Sequence, residues 1–183
     1  MGRHKEENMS KKFTSYHVGM AAEAIAAAQF ARCGYDVSVQ YGANQPGYDL
    51  VVGRGKRLLK VSIKGSQNKA WMLCASYLGP RWPQNKTYHD AIKAWEKDHN
   101  DIGVVLCFVQ FQGINIREIP RVYLATVDEI AERLRQTRNG EGGTVLNEEK
   151  VWGKRATASG TVDRIPAKWQ FSEKRIEELF KAG

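Results

Sequence analysis

An aspartate and a lysine on neighbouring predicted strands give the first chemical signal in this 183-residue chain. Two short segments with strand-like alternation flank Gly55-Lys56, and glycine in the first position suits a type II′ hairpin turn. Antiparallel pairing around that turn puts Asp49 opposite Ser62, and the two-residue period of a strand puts Lys64 on the face of Ser62. In this register, which a one-residue slip would destroy, a carboxylate and an ammonium lie within reach of one metal ion or phosphate.

Patterns of helix and strand surround this hairpin. The predicted strands are Tyr35 to Tyr41, Tyr48 to Val52, Arg57 to Lys64, Trp71 to Tyr77, Gly103 to Phe111 and Val122 to Ala125. Apolar residues at three- and four-residue intervals predict helices that begin at caps, namely Ser15, Thr87, Thr126 and Ser172. Gly34 is expected to end the first helix, and the third is expected to run through Arg138.

These elements predict one α/β domain over residues 14–183, behind a flexible tail at residues 1–13. Its core should be a mixed sheet of about five strands flanked by helices. Gly103 to Phe111 is the most hydrophobic segment, so we expect it to be a central strand covered on both faces. Residues 139–170 are polar and rich in glycine, and they fit either an ordered flap or a disordered loop.

Positive charge is concentrated on the hairpin. The chain has a net charge of +8, and residues 53–69 hold six Lys and Arg side chains and no acid. Such a surface suits an anionic partner, most often nucleic acid. A tryptophan beside an arginine in the following Pro-rich loop adds a group that can grip a base or a backbone. The residues predicted to contact nucleic acid are Arg54, Lys56, Arg57, Lys60, Lys69, Arg81 and Trp82.

Composition excludes several other classes of protein. No run approaches the ~20 apolar residues that cross a bilayer, and the N-terminus lacks the apolar segment of a secretory signal. We therefore expect a cytoplasmic protein with no membrane partner. The three cysteines and four histidines lack metal-ligand spacing, which argues against a zinc site.

The order of these elements resembles the core of the PD-(D/E)XK nuclease superfamily. That core has a helix carrying a glutamate, a strand, a turn ending in aspartate, a Gly-containing hairpin and a strand ending in lysine. The corresponding residues are Glu23 in Gly19-Met-Ala-Ala-Glu23, Asp49 in Pro46-Gly-Tyr-Asp49 and Lys64 in Val61-Ser-Ile-Lys64. The resemblance spans residues 15–112 and is strongest to archaeal-type Holliday-junction resolvases and small restriction-like, phage or prophage nucleases.

The resemblance implies a restriction-endonuclease-like fold and hydrolysis of phosphodiester bonds in DNA with Mg²⁺ or Mn²⁺ as cofactor. It assigns Asp49 as the principal metal ligand and Glu23 as a second or outer ligand. Lys64 would stabilise the developing negative charge or position the attacking water.

One position departs from the family pattern. The pattern has an acid two residues before the lysine, where this chain has Ser62, a neutral and poor ligand for magnesium. A single-metal site could be completed in three ways: by Glu23, by the backbone carbonyl of Ile63, or by a water held by Ser62 or Gln67.

Three functions stay open at this point. The first is a metal-dependent endonuclease acting on DNA. Its oligomeric state stays open, and a homodimer is one option because nucleases that cut both strands commonly act as symmetric dimers. The second is a nucleic-acid-binding protein of the same fold that has lost its metal site, as Ser62 suggests. The third is a regulatory or interaction subunit whose basic surface binds an acidic protein.

Overall fold

The computed structural model describes residues 14–40, 47–79, 86–154 and 156–182. The four helices in this part of the chain are α1 (Ser15–Arg32), α2 (Tyr88–Ile102), α3 (Val127–Gln136) and α4 (Glu173–Ala182). The strands of the main sheet are β1 (Asp36–Val39), β2 (Leu50–Arg54), β3 (Arg57–Ser66), β5 (Val104–Gln110) and β6 (Arg121–Thr126). Shorter strands are β4 (Ala70–Met72), β7 (Val145–Asn147), β8 (Glu149–Val151) and β9 (Val162–Arg164).

The main sheet is mixed, with the strand order β1-β2-β3-β5-β6. Strands β3 and β5 are parallel and are joined through α2, whereas every other neighbouring pair is antiparallel. A parallel pair needs a long crossover connection, and the helix between the two strands supplies it. The predicted α/β fold, a five-stranded mixed sheet flanked by helices, is confirmed.

Two apolar cores lie on opposite faces of this sheet. Helices α1 and α4 pack on one face, and helices α2 and α3 pack on the other. Every residue of β5 is buried, and its alternate side chains enter the two cores. The prediction of a central strand covered on both faces is therefore confirmed.

Helix caps follow the local sequence closely. Thr87 and Thr126 each form a capping box with the acid three residues on. The Ser172 hydroxyl accepts a hydrogen bond from the Arg175 amide, 3.2 Å away. The first cap is one residue earlier than predicted, since Thr14 caps α1 and Ser15 lies inside the helix.

The strand predicted over Trp71 to Tyr77 is wrong beyond Met72. The amides of Leu73 and Cys74 both donate to the carbonyl of Thr144, and the chain then turns into a 3₁₀ helix, Ala75–Leu78. This turn buries Cys74 and Leu78 against α2 and α3, which an extended strand would not do.

The segment 139–170 contains three short strands and a 3₁₀ helix, Ala167–Trp169, in its described part. Strand β7 pairs with β4, and β8 pairs with β9. Its apolar side chains Leu146, Ile165 and Trp169 join the core formed by α2 and α3. The predicted tail at residues 1–13 lies outside the described residues. No helix in the described ranges is both long enough and apolar enough to cross a bilayer.

Candidate active site

The hairpin between β2 and β3 positions Asp49. Gly55 has a φ of +65° in the turn, and the pairing of Arg54 with Arg57 continues as predicted to Leu50 with Val61. The Asp49 amide also donates to the Val61 carbonyl, at 2.9 Å, so the regular pairing ends one residue before the predicted Asp49–Ser62 pair. Irregularities of this kind redirect a side chain at the end of a strand pair.

The carboxylate of Asp49 turns toward β3. Its Oδ2 accepts a hydrogen bond of 2.5 Å from the backbone amide of Ile63. The amide and carbonyl of one residue in an extended strand point to the same side, so the Ile63 carbonyl lies along the edge that Asp49 occupies. The Asp49 carboxylate also affects Cys107 on β5. Burial raises the pKa of the Cys107 thiol, and the negative charge of Asp49 raises it further.

Close packing on β3 sets the position of α1, the helix that carries Glu23. A Cβ atom at Gly65 would lie 2.8 Å from both the Cγ1 and the backbone oxygen of Val18, and 3.0 Å from the Cβ of Ala22. Only glycine allows this approach without a shift of the helix. Glu23 follows Ala22 on α1, so the same contact fixes the position of Glu23 relative to β3.

Electrostatic coupling joins the three predicted residues. Burial raises the pKa of Glu23, the Asp49 carboxylate raises it further, and the Lys64 ammonium partly opposes both effects. Glu23 is thus coupled electrostatically to Asp49 and to Lys64, the two other residues that the resemblance assigns to the site.

Ser62 contributes differently from the acid in the family pattern. Its side chain is buried, with 4% of the residue exposed, and it lies on the α2 face of β3. Within the described ranges, no group of three or more His, Cys, Asp or Glu side chains is placed to hold a metal. The available protein donors are therefore two carboxylates and one backbone carbonyl. Such a set still fits Mg²⁺, which is often held by one or two carboxylates with substrate phosphate and water.

One neighbour of Lys64 was not predicted. Burial lowers the pKa of His99, and the positive charge of Lys64 lowers it further. The hydrogen bond to the Trp95 carbonyl has the opposite effect and partly restores the pKa. The Nδ1 atom of His99 lies 2.8 Å from that carbonyl, and its ring is 4.5 Å from the Trp95 ring. The sequence did contain a signal for this position. His99 follows the buried Trp95 by four residues on an amphipathic helix, so both side chains lie on the same, inward face of α2.

Comparisons with known proteins give similar folds and no family assignment. No model of a protein family matches the chain, and no curated protein matches it. Among solved structures, the Holliday junction resolvase Hjc of Archaeoglobus fulgidus is similar with 16% identity and a TM-score of 0.40, over 71% of this chain and 88% of that one. The bacterial homing endonuclease I-Ssp6803I is similar with 15% identity and a TM-score of 0.47, over 92% and 95%.

The chain has its first helix, strand and hairpin in the order that the sequence resemblance implied, and α2 and the parallel strand β5 follow them. The likeness to the two solved structures is one of chain course, and it assigns no role to any residue here. The chemistry of this protein has to be inferred from its own side chains.

The predicted nucleic-acid contacts do not form one surface around Asp49. Arg54 and Arg57 pair with Glu177 on α4, at 3.1 and 3.4 Å, and lie over the rings of Tyr35 and Phe180. The turn end of β3 is roughly 23 Å from Lys64, at about 3.3 Å per residue. The positive charge near Asp49 is therefore smaller than the sequence count suggested.

The remaining predicted contacts are spread over the molecule. Lys60 donates to the carbonyl of Ile102 at the end of α2 and lies over the Tyr48 ring. Lys56 is exposed in the hairpin turn, and Lys69 is exposed beside a cleft along β6. Arg81 and Trp82 lie outside the described residues.

The raised pKa of Glu23 predicts a measurable effect on stability. Because its pKa is higher in the folded than in the unfolded protein, the folded state loses stability as pH rises through that interval. Glu23→Gln removes the buried charge and should raise the free energy of unfolding at pH 7 by about 0.5 kcal/mol, a value discounted for solvent screening. The gain should vanish below about pH 4, where the carboxyl is neutral in both states.

Urea unfolding of both proteins across this pH range measures the effect. In an Asp49→Asn background the gain should shrink, since Asp49 is the second cause of the raised pKa. A variant that is less stable than wild type at pH 7 would contradict the coupling.

Proposed function

We propose that this protein is a metal-dependent endonuclease that hydrolyses phosphodiester bonds in DNA. The observation that carries the proposal is the Asp49 carboxylate, which the Ile63 amide holds at 2.5 Å. The pKa of Glu23 responds to this carboxylate and to the Lys64 ammonium, which supports a site formed by all three groups. Paired carboxylates with an adjacent cation suit a reaction in which negative charge develops on a phosphate. Cutting both strands of a duplex would take a second copy of the chain.

Each group has a distinct proposed role. Asp49, Glu23 and the Ile63 carbonyl would hold Mg²⁺ or Mn²⁺, which when bound acts as a Lewis acid on the phosphate and lowers the pKa of a water. The Ile63 amide fixes the Asp49 carboxylate in one orientation. Lys64 would bind a phosphate oxygen and stabilise the charge that develops there. The raised pKa of Glu23 means that it sheds its proton less readily than an ordinary glutamate, so activity should fall at acidic pH.

A second function is favoured by one specific observation, the buried serine at position 62. With no third acid in the described part of the site, the protein would bind DNA through the same groups without cutting it. Binding alone should weaken steeply with added salt, because contacts with phosphate release counterions.

A cleavage assay separates the two functions. Supercoiled and branched DNA are incubated with Mg²⁺, with Mn²⁺ and with a chelator, and DNA binding is measured in parallel. The first function predicts nicking that the chelator abolishes. Salt-sensitive binding without nicking under any of these conditions would instead establish the second.

Lys64→Met tests the proposed charge stabilisation. We expect nicking to fall about 100-fold, because one preorganised group at a developing charge typically contributes that much. Lys181→Met on α4 removes the same charge from an exposed position and should leave nicking within about twofold of wild type. Equal rates for the two variants would remove Lys64 from the mechanism.

A further inference from the structure

A cleft of about 970 Å³ runs along β6, at the edge of the main sheet opposite β1. We call it the β6 cleft. Its walls come from β6, the loop before it, the turn after β3, the β8–β9 pair and the segment before α4. Amides, cations and aromatic rings converge there, chiefly Gln112, Gln170, Lys69, Arg121, Tyr123 and Phe171.

A buried carboxylate fixes the polar groups of the β6 cleft. Glu148 is 9% exposed, and it accepts hydrogen bonds from the Nε and Nη2 of Arg121 at 2.6 and 2.9 Å. The Tyr123 hydroxyl donates to the same carboxylate at 2.7 Å. Burial alone would raise the pKa of Glu148, but these bonds hold it below its usual value. Burial and the bond to Glu148 raise the pKa of Tyr123 to about 12.

These bonds make the side chains of the cleft rigid rather than adaptable. Arg121 is held in one orientation, yet its side chain keeps 37% of its surface exposed. Tyr123 stays protonated at neutral pH. A concave site with mixed lining and a few fixed polar groups has the character of a ligand-binding site.

The register of the sheet relates this cleft to the proposed active site. Lys64 is level with Phe108 on β5, which is level with Tyr123 on β6, and Ser66 is likewise level with Gln110 and Arg121. Neighbouring strands are about 4.8 Å apart, so the backbones at Lys64 and Tyr123 are separated by about 10 Å. A segment of a few nucleotides is long enough to span that distance.

We propose that the β6 cleft binds a short unpaired segment of the DNA strand whose phosphate lies at Lys64. This inference rests on the proposed function, and it adds a preference for DNA with a single-stranded part next to the cleavage site. Glutamine amides and arginine bond base edges, and aromatic rings stack on base faces. In a continuous duplex the base faces are stacked and the pairing edges are engaged, so an unpaired segment offers more to these groups.

Binding without metal tests the preference directly. A chelator prevents cleavage, and the affinity for a blunt duplex is compared with that for the same duplex carrying a short single-stranded overhang. We expect the overhang to tighten binding about 10-fold, since stacking on aromatic side chains contributes that much or more per base. A 2-aminopurine in the overhang should lose fluorescence as it stacks in the cleft. Equal affinity for both DNAs would overturn the inference.

Two isoleucines on the loop before β6 provide a matched pair of variants. Ile119 lines the β6 cleft and is 58% exposed, whereas Ile116 lies outside it and is 98% exposed. Ile119→Glu should abolish the overhang preference, and Ile116→Glu, with the same change of net charge, should retain it. The same loss in both variants would overturn the assignment of the cleft.

The outcomes distinguish this inference from the proposed function. Metal-dependent nicking without any overhang preference would support the proposed nuclease function and contradict the proposed role of the β6 cleft. An overhang preference that depends on Ile119, without nicking in any metal, would support the proposed role of the β6 cleft and contradict the proposed nuclease function. A protein that neither binds nor cuts DNA would overturn both.

Discussion

Replacement of Asp49 by asparagine is expected to lower the rate of metal-dependent DNA nicking about 1,000-fold. Asparagine keeps the size of the side chain, and its Oδ1 can still accept the hydrogen bond from the Ile63 amide. What it loses is the negative charge that a divalent cation requires at this position. Loss of one preorganised charged group in an active site typically costs a factor of 10²–10³, and the principal ligand of the metal belongs at the upper end.

DNA binding should respond in the opposite direction. In a chelator, Asp49→Asn should bind DNA at least as tightly as wild type, because a negative charge beside the phosphate backbone has been removed. Asp36→Asn is the matched control, since Asp36 is exposed at the start of β1 and pairs with Gly53, well along the sheet from Asp49. Wild-type nicking by Asp49→Asn would rule out this residue as the metal ligand.

Gly65→Ala is expected to cause the largest loss of stability. The added Cβ atom would meet the Val18 backbone oxygen and Cγ1 at 2.8 Å and the Ala22 Cβ at 3.0 Å. A helix backbone cannot rotate away as a flexible side chain can, so α1 must move off the sheet. Overpacking of this kind costs roughly 2–3 kcal/mol, which urea unfolding would detect.

The same substitution should also impair nicking. Glu23 directly follows Ala22, one of the residues in the contact, so it would move with α1. A displacement of about 1 Å in a catalytic group can lower the rate 100-fold. We therefore expect Gly65→Ala to lower activity even under conditions in which the protein is fully folded.

Gly19→Ala is the control for this prediction. A Cβ atom at Gly19 has no other atom within 4 Å, and the residue lies inside α1. Alanine in a helix interior is better than glycine by about 0.5–1 kcal/mol, so this variant should be more stable than wild type. If both alanine variants changed stability in the same direction, the close contact at Gly65 would not be what positions α1.

Several elements could be predicted because their causes are local. The capping boxes of α2 and α3 each involve residues three positions apart, Thr87 with Asp90 and Thr126 with Glu129. The register of β2 and β3 follows from a two-residue turn that contains Gly55 at positive φ. In each case the interacting groups are neighbours in the chain, so sequence spacing alone specifies the geometry.

Other elements could not be predicted because their partners are distant in sequence. Strand β7 pairs Asn147 with Ala70, and strands β8 and β9 are three residues long, too short to show a period. The strand predicted through Tyr77 failed for a related reason. Burial of Cys74 and Leu78 against α2 and α3 outweighs the strand pattern of the segment.

The location of the positive charge also depends on tertiary contacts. The sequence count grouped Arg54 and Arg57 with Asp49, but Glu177, more than 100 positions away, pairs with both arginines at the far end of the hairpin. A count of charges along the chain takes no account of strand length or of a helix that returns late in the sequence.

The α/β class and the hairpin register from Leu50 onward could be predicted from the sequence, and the resemblance to a nuclease family proposed Glu23, Asp49 and Lys64 as site residues. Those results rest on strand periodicity, turn chemistry and motif order, which are properties of neighbouring residues. The tertiary structure added the docking of α1 on β3, which the sequence could not give because it depends on the absence of a Cβ at Gly65, where Val18 and Ala22 approach. It likewise decided that His99 lies beside Lys64 and that a cleft follows β6, since both depend on the packing of chain segments far apart in sequence.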